Sequence, residues 1–373
     1  MYSRFKGLSI LNVTNVGSTS IYRLDCPSFS NRYFILSHPD SCRLMAYPEV
    51  VGYDAYRALL PSTVAALQWL RDEGMDSRID ILTILRGGLN YPIEEACSSC
   101  KTPLTVRDMH FLSCERKIET QWAGGVPYRV ITGLEIKYEK IRPNRDSVLA
   151  IGDILATGDT FRYCMDHFLK VFHDGGGTLK RLVFFTIGGT RAVEIMEGYA
   201  KRMKELFPGF EGIDCFFYEG MFTVYEDSGV SGINTANIDF GWNGGAVSPD
   251  FRRYVLDRPP YVLLEKCIIY DGGARRYEIP LHFEEVLEYW EAIQARAGSI
   301  DTVRLVGEKL GYPGPLDFET WKEVTCLKGV EFDDLEGLWK SETALFEKAV
   351  SWDPGQIACE KIASVKSVQS LYK

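Results

Sequence analysis

VLAIGDILATGDT, Val148 to Thr160, is the stretch from which the fold can be read. Val148-Leu149-Ala150-Ile151 is a short apolar run bounded by polar residues, the pattern of a strand buried on both faces. It passes through Gly152 to the carboxylate of Asp153. Ile154-Leu155 then leads to the small, polar turn Ala156-Thr157-Gly158, and Asp159-Thr160 opens a helical pattern. A helix start offers free backbone N–H groups and partial positive charge, so anions settle there. Gly158 lets the backbone turn tightly, and the hydroxyls of Thr157 and Thr160 can donate to phosphate oxygens. Asp153, at the strand end, can accept from two vicinal hydroxyls of a ribose. The stretch points to a ligand that is both a sugar and a phosphate ester.

Strands and helices alternate outward from this stretch. Ile79–Leu85 reads as a strand followed by Arg86-Gly87-Gly88, and Tyr91–Cys100 as a helix. Residues 102–145 read as one strand, an exposed loop and returning strands. Thr160–Phe172 and Arg191–Phe207 read as helices, Arg181–Ile187 and Ile213–Tyr218 as strands. This alternation predicts βαβ units, a parallel sheet and right-handed crossovers. Upstream, Ile21–Cys26 and Arg32–Ser37 predict a hairpin. Tyr53–Glu73 predicts an amphipathic helix whose first turn Pro61 can mark. Downstream of about residue 226, Gly, Pro and aromatics dominate to Gly273. Helical patterns follow at His282–Ala297, Asp301–Leu310, Asp317–Thr325 and from Leu335, and the last twenty residues read as fraying. Three segments result: a β-rich N-terminal segment with a helix (1–74), a core (75–225) and a loop-rich, helical C-terminal part (226–373).

The 373 residues exceed one small core. Apolar content of 46% and charged content of 25% are ordinary for a globular chain, and the net charge of -9 argues against a broad nucleic-acid surface. No stretch approaches a membrane span and no secretory signal is evident. The ten cysteines are scattered rather than framework-spaced, so a reduced, cytoplasmic setting is expected. Cys97 and Cys100 form a CxxC without a second CxxC or a His pair at zinc spacing. They read as two thiols on or under a helix rather than as a redox or metal pair.

VLAIGDILATGDT resembles the phosphoribosyl-diphosphate (PRPP) binding motif of type I phosphoribosyltransferases at all but one position. ILRGG, ending in Arg86-Gly87-Gly88, resembles that family's diphosphate loop, and the long segment Cys114–Arg142 stands where the family carries a loop that closes over PRPP. The resemblance covers roughly residues 75–225. It implies a doubly wound α/β sheet, with the N- and C-terminal parts forming a hood or second subdomain. It also implies transfer of a 5-phosphoribosyl group from PRPP, with Mg2+, to a nitrogenous base or other small acceptor, releasing diphosphate.

By this resemblance Arg86, Gly87 and Gly88 hold diphosphate, with a strained or cis peptide expected at Leu85–Arg86. Ala156, Thr157, Gly158, Asp159 and Thr160 hold the 5′-phosphate. Asp153 fixes the ribose, and a magnesium ion through its hydroxyls. Arg86 and Asp153 carry the catalytic roles. The Gln121–Pro127 tip and the cations Arg116, Lys117, Arg129, Lys137, Lys140 and Arg142 belong to the closing segment.

The departure is Gly152, where the family usually has a second acid. Its loss removes a charge-assisted hydrogen bond, on the order of 1.5–3 kcal/mol. If another group already satisfies that ribose hydroxyl, an acid restored at position 152 is expected to change affinity little; if the site has decayed into a sensor, it is expected to recover PRPP binding by about tenfold or more. Ala156 stands where purine enzymes of the family often carry an acid, which disfavours that type of acceptor. A non-catalytic PRPP or nucleotide sensor or assembly protein that kept the pocket is the alternative, and a phosphosugar hydrolase a weaker one. A homodimer stays open. Phe240 and Trp242 read either as a stacking face for a base or as the packing of a second core, with packing favoured. Ile268–Tyr277 reads as an Asp-Gly hairpin, with arginines reaching an anion as the alternative.

Overall fold

The computed structural model describes residues 5–123, 126–224, 240–265 and 272–372. Ten strands form one sheet. They are β1 (Ser9–Val16), β2 (Thr19–Asp25), β3 (Arg32–Ser37), β4 (Arg78–Leu85), β5 (Thr105–Ala123), β6 (Val126–Lys140), β7 (Ser147–Leu155), β8 (Leu179–Gly189), β9 (Gly212–Val224) and β10 (Phe240–Val247). The order is β1-β2-β3-β9-β8-β7-β4-β5-β6, with β10 paired to β9. The run β3-β9-β8-β7-β4-β5 is parallel throughout. The β1–β2, β2–β3, β5–β6 and β9–β10 pairs are antiparallel. The chain is therefore α/β with a mixed, mostly parallel central sheet.

Val148–Ile151 are all buried in the middle of that sheet, as their unbroken apolar run requires. Six helices belong to the first two thirds of the chain: α1 (Pro39–Ala46), α2 (Gly52–Ala58), α3 (Leu60–Asp72), α4 (Ile93–Ser99), α5 (Asp159–Asp174) and α6 (Thr190–Leu206). Phe161, Met165, Phe168, Leu169 and Phe172 recur at helical spacing, and α5 buries that stripe. From β4 the chain crosses to β5 on one side, whereas β7 crosses to β8 on the other. Right-handed crossovers in opposite directions put their helices on opposite faces. α4 packs with α3 on one face. α5 and α6 share the other, where the Tyr199 hydroxyl donates to Asp166 at 2.7 Å.

The C-terminal part adds α7 (Pro249–Leu256), α8 (Pro260–Leu264), α9 (Gly272–Tyr277), α10 (Ile279–Ala295), α11 (Thr302–Leu310), α12 (Phe318–Val324), α13 (Leu335–Ala349) and α14 (Pro354–Gln369). Buried charges tie this layer together. Lys361 Nζ, fully buried, donates to Glu49 at 2.7 and 2.8 Å and lies 3.5 Å from Glu265. Glu342, also fully buried, accepts from Arg252 at 3.0 Å, Tyr312 at 2.5 Å and the Trp321 indole at 2.8 Å. Arg275 donates to the carbonyls of Leu44, Tyr47 and Val50, joining the C-terminal layer to the α1–α2 connection.

Several elements differ from the sequence expectation. Tyr53–Glu73 is two helices, with Pro61 in the first turn of α3. Residues 272–277 are helical, not half of a hairpin, and 268–271 lie outside the described residues. The last twenty residues do not fray: α14 packs along α10, burying Ile357, Ala358, Lys361, Ile362 and Val365 on one face. Phe240 and Trp242 are buried, and Trp242 packs on Phe251 at 5.8 Å, so they fill a core. Cys97 and Cys100 are free and buried under α4, where desolvation pushes both thiols above their ordinary range. They are packing residues.

Candidate active site

In a sheet whose connections reverse direction, the crevice at the reversal collects ligands at the strands' carboxyl ends. Here the reversal falls between β4 and β7, and both segments singled out in the sequence emerge there. The Leu85–Arg86 peptide is cis, as the resemblance implies, and a short 3-10 turn, Gly87–Asn90, follows. That turn lies directly against the end of β7. A Cβ on Gly87 would sit 2.6 Å from Asp153 Oδ1, and one on Gly88 would sit 3.2 Å from the Gly152 carbonyl oxygen. Only glycine permits the first approach.

Asp153 is 8% exposed. Its Oδ1 accepts from the Ile154 N–H at 2.9 Å, and burial pushes its carboxyl up to about 7. At the end of the Gly87–Asn90 turn, the Asn90 side-chain nitrogen is buried and has no hydrogen-bond partner among the described residues.

Past Asp153 the chain turns through Ala156, which is buried, and Thr157, which is exposed. Gly158 then adopts φ 80°, and a Cβ there would lie 2.3 Å from Ile195 Cδ1, so conformation and space both demand glycine. Gly158 is the N-cap of α5, and no side chain caps the helix. The first-turn amides thus face outward beside the exposed Asp159 and Thr160. The structure brings Arg86, Gly87, Gly88, Asp153 and the 156–160 turn to one crevice.

Three features of this crevice escape the sequence. First, Tyr91 fills the space beside Gly152. A Cβ on Gly152 would lie 2.4 Å from both Cβ and Cγ of Tyr91. The Tyr91 ring is buried, and its hydroxyl accepts from the Ile187 N–H at 3.0 Å. An acid at position 152 has no room, which overturns the expectation that restoring it would be nearly neutral.

Second, Arg86, an exposed side chain, pairs at 3.2 Å with Glu278, between α9 and α10. Third, α9 closes on the site: a Cβ on Gly272 would lie 2.3 Å from Ile154 Cδ1 and 3.4 Å from Asn90 Nδ2. Neither Glu278 nor Gly272 carries a sequence signal that ties it to residues more than a hundred positions away.

The segment Cys114–Arg142 is built largely from β5 and β6, an antiparallel ribbon running past the end of β4. Gly124-Gly125 of its tip lie outside the described residues, as do the side chains of Arg116 and Arg129. Of its other cations, Lys117 and Lys137 pair with Glu135 at 4.0 and 2.9 Å. Lys140 lies over the Phe111 ring at 5.3 Å, and Arg142 pairs with Asp108 at 3.5 Å.

Among the described residues no group of three or more His, Cys, Asp or Glu side chains is arranged to hold a metal, and no helix is long and apolar enough to cross a membrane. Asp153 alone is a thin donor set. It fits a magnesium ion that arrives with most of its oxygen ligands on the substrate, the usual habit of that ion. Comparison with protein-family models and with curated proteins returns no match.

Proposed function

We propose that the chain transfers a 5-phosphoribosyl group from PRPP to a small nucleophile, with release of diphosphate. The observation that carries this reading is the meeting of Arg86-Gly87-Gly88 with Asp153 at the reversal of the sheet, next to the uncapped start of α5. In this reading the 156–160 turn anchors the 5′-phosphate through backbone amides and the Thr157 and Thr160 hydroxyls. Remote binding energy then holds C1 of the ribose in line with the acceptor. Asp153, once ionised, accepts from the ribose hydroxyls. As the C1–O bond loosens, Arg86 turns from Glu278 to the leaving diphosphate and balances its charge. Asp153 would help to hold a magnesium ion, which would supply further charge neutralisation. The buried floor of the crevice under α9 keeps water from C1.

Full-length protein with PRPP and magnesium is assayed for diphosphate release across a panel of nitrogenous bases and amines. Release that depends on one acceptor supports transfer. Release without any acceptor supports a hydrolase. Tight PRPP binding without release supports a second reading, a sensor that kept the pocket. That second reading is favoured by Tyr91 standing where the family's second acid would reach the ribose, and by the Arg86–Glu278 pair. Thr157→Val is expected to weaken PRPP several-fold by removing one phosphate donor.

A further inference from the structure

A second cavity, of about 300 Å³, lies on the same edge of the sheet, among the β1–β2 turn, the end of β3 and one face of α7. From β7 to β3 is three interstrand spacings, about 14 Å. One small ligand therefore cannot fill this cavity and the Asp153 crevice together.

The interior of the cavity is rich in acceptors. Asp250 lines it, and its Oδ2 accepts from the Tyr22 hydroxyl at 2.5 Å. The only cation one helical turn away, Arg253, donates instead to the Asp334 carbonyl at 2.9 Å and to its carboxylate at 3.1 Å. Among the described residues no cationic side chain forms an ion pair with Asp250. Desolvation raises its carboxyl, against the lowering effect of its hydrogen bonds from Tyr22 and Ser20.

The adjacent hydroxyls point the same way. His38 Nδ1 accepts from the Asp40 N–H at 3.1 Å, so the neutral ring carries its proton on Nε2 and donates to Ser18 Oγ at 2.8 Å. Ser37, at the end of β3, is spent on Glu219, to which it donates. Arg253 and Arg258 line the cavity too, but neither pairs with Asp250, so this carboxylate lacks a positively charged donor. Just past the end of α7, Arg258 is exposed, stacked 4.2 Å over the Tyr254 ring, and also lines the cavity. Asp250 and Arg258, neither in an ion pair among the described residues, are thus a half-buried carboxylate inside and a guanidinium at the rim, one on α7 and the other just past its end.

We propose that this cavity binds a free α-amino acid, its ammonium on Asp250 and its carboxylate on Arg258, with Tyr254 and Phe332 as the apolar wall. The site is separate from the proposed PRPP crevice and does not depend on that assignment. Calorimetric titration of the full chain with each proteinogenic amino acid tests it, with N-acetyl amino acids and the matching decarboxylated amines as controls. At least one amino acid is expected to bind, with both control forms weaker by about tenfold or more, the loss of one charge-assisted contact. Asp250→Asn and Arg258→Ala should each weaken it similarly. Arg258 is exposed, so its variant is expected to fold, and an unchanged melting temperature without ligand checks this. The proposal is overturned if no amino acid binds, if the acetylated or decarboxylated form binds as well as the parent, or if both variants retain full affinity. A parallel PRPP titration that falls with Arg258→Ala overturns the separateness of the two sites.

Discussion

Gly152→Ala tests how the candidate site is held. The new Cβ would stand 2.4 Å from Tyr91 Cβ and Cγ, more than 1 Å inside an ordinary carbon–carbon contact of about 3.5–4.0 Å. Tyr91 Cβ is fixed to the backbone, so no side-chain rotation relieves the clash. The ring is further pinned by the Ile187 N–H at 3.0 Å and by Tyr218, 6.0 Å away. Either β7 or the Gly87–Tyr91 turn has to shift by about 1 Å, and that turn carries Gly87 against Asp153. Overpacking of this kind destabilises by about 1–3 kcal/mol. Tyr91→Gly alone removes a buried aromatic and leaves the Ile187 N–H without its partner, for at least about 3–5 kcal/mol. In the double variant the alanine at 152 meets neither the Cβ nor the ring of residue 91, so the losses should fall short of their sum by about 1–3 kcal/mol.

The assay is urea unfolding of the four proteins, with PRPP titration of those that fold. Gly152→Asp, which recreates the acidic pair of the family, should lose PRPP binding unless Tyr91 is also cut back. Losses that add within about 0.5 kcal/mol would refute the account of Tyr91 as the residue that requires glycine at 152.

Other outcomes follow from the same geometry. Arg86→Ala should impair PRPP far more than ribose 5-phosphate, which lacks diphosphate, and equal losses count against Arg86 as the diphosphate ligand. Glu278→Gln frees Arg86 from an exposed ion pair of at most about 1 kcal/mol, so PRPP affinity by calorimetry should rise no more than about fivefold and should not fall. Asp153 has its carboxyl raised to about 7, so PRPP affinity should increase as pH rises through 7 and the carboxylate forms; an Asp153→Asn protein with the same pH profile would contradict this. For folding the sign is opposite. The unfolded chain releases this proton near the ordinary value of 3.8, the native state near 7, so the group's contribution falls as pH rises between those values and is level above them. The slope of urea midpoint against pH should flatten in Asp153→Asn. Lys361→Met leaves Glu49 beside Glu265 without their shared cation and should destabilise by about 3–5 kcal/mol in the same unfolding assay.

The sequence by itself determined the parallel core. Runs such as Val148–Ile151 and Arg181–Ile187 have one stable place, a strand covered on both faces, and the intervening stripes of α5 and α6 have one face to bury. Gly158 was legible for a local reason, since a strand-to-helix turn this tight requires positive φ. The hairpin β2–β3 and the Pro61 helix start were legible from equally short-range chemistry. α14 was in principle readable, with Ile357, Ala358, Ile362 and Val365 at helical spacing, but a small residue and a buried lysine blur its apolar face.

Tertiary structure alone decided the rest. Strand order places β4 beside β7 and so sets Gly87 against Asp153. The fit of Tyr91 to the void at Gly152, the reach of Glu278 to Arg86 and the seat of Gly272 on Ile154 are contacts between segments far apart in the chain. Their energy comes from packing and desolvation at the moment the layers meet. No local propensity encodes them, because each side chain is ordinary until its partner arrives.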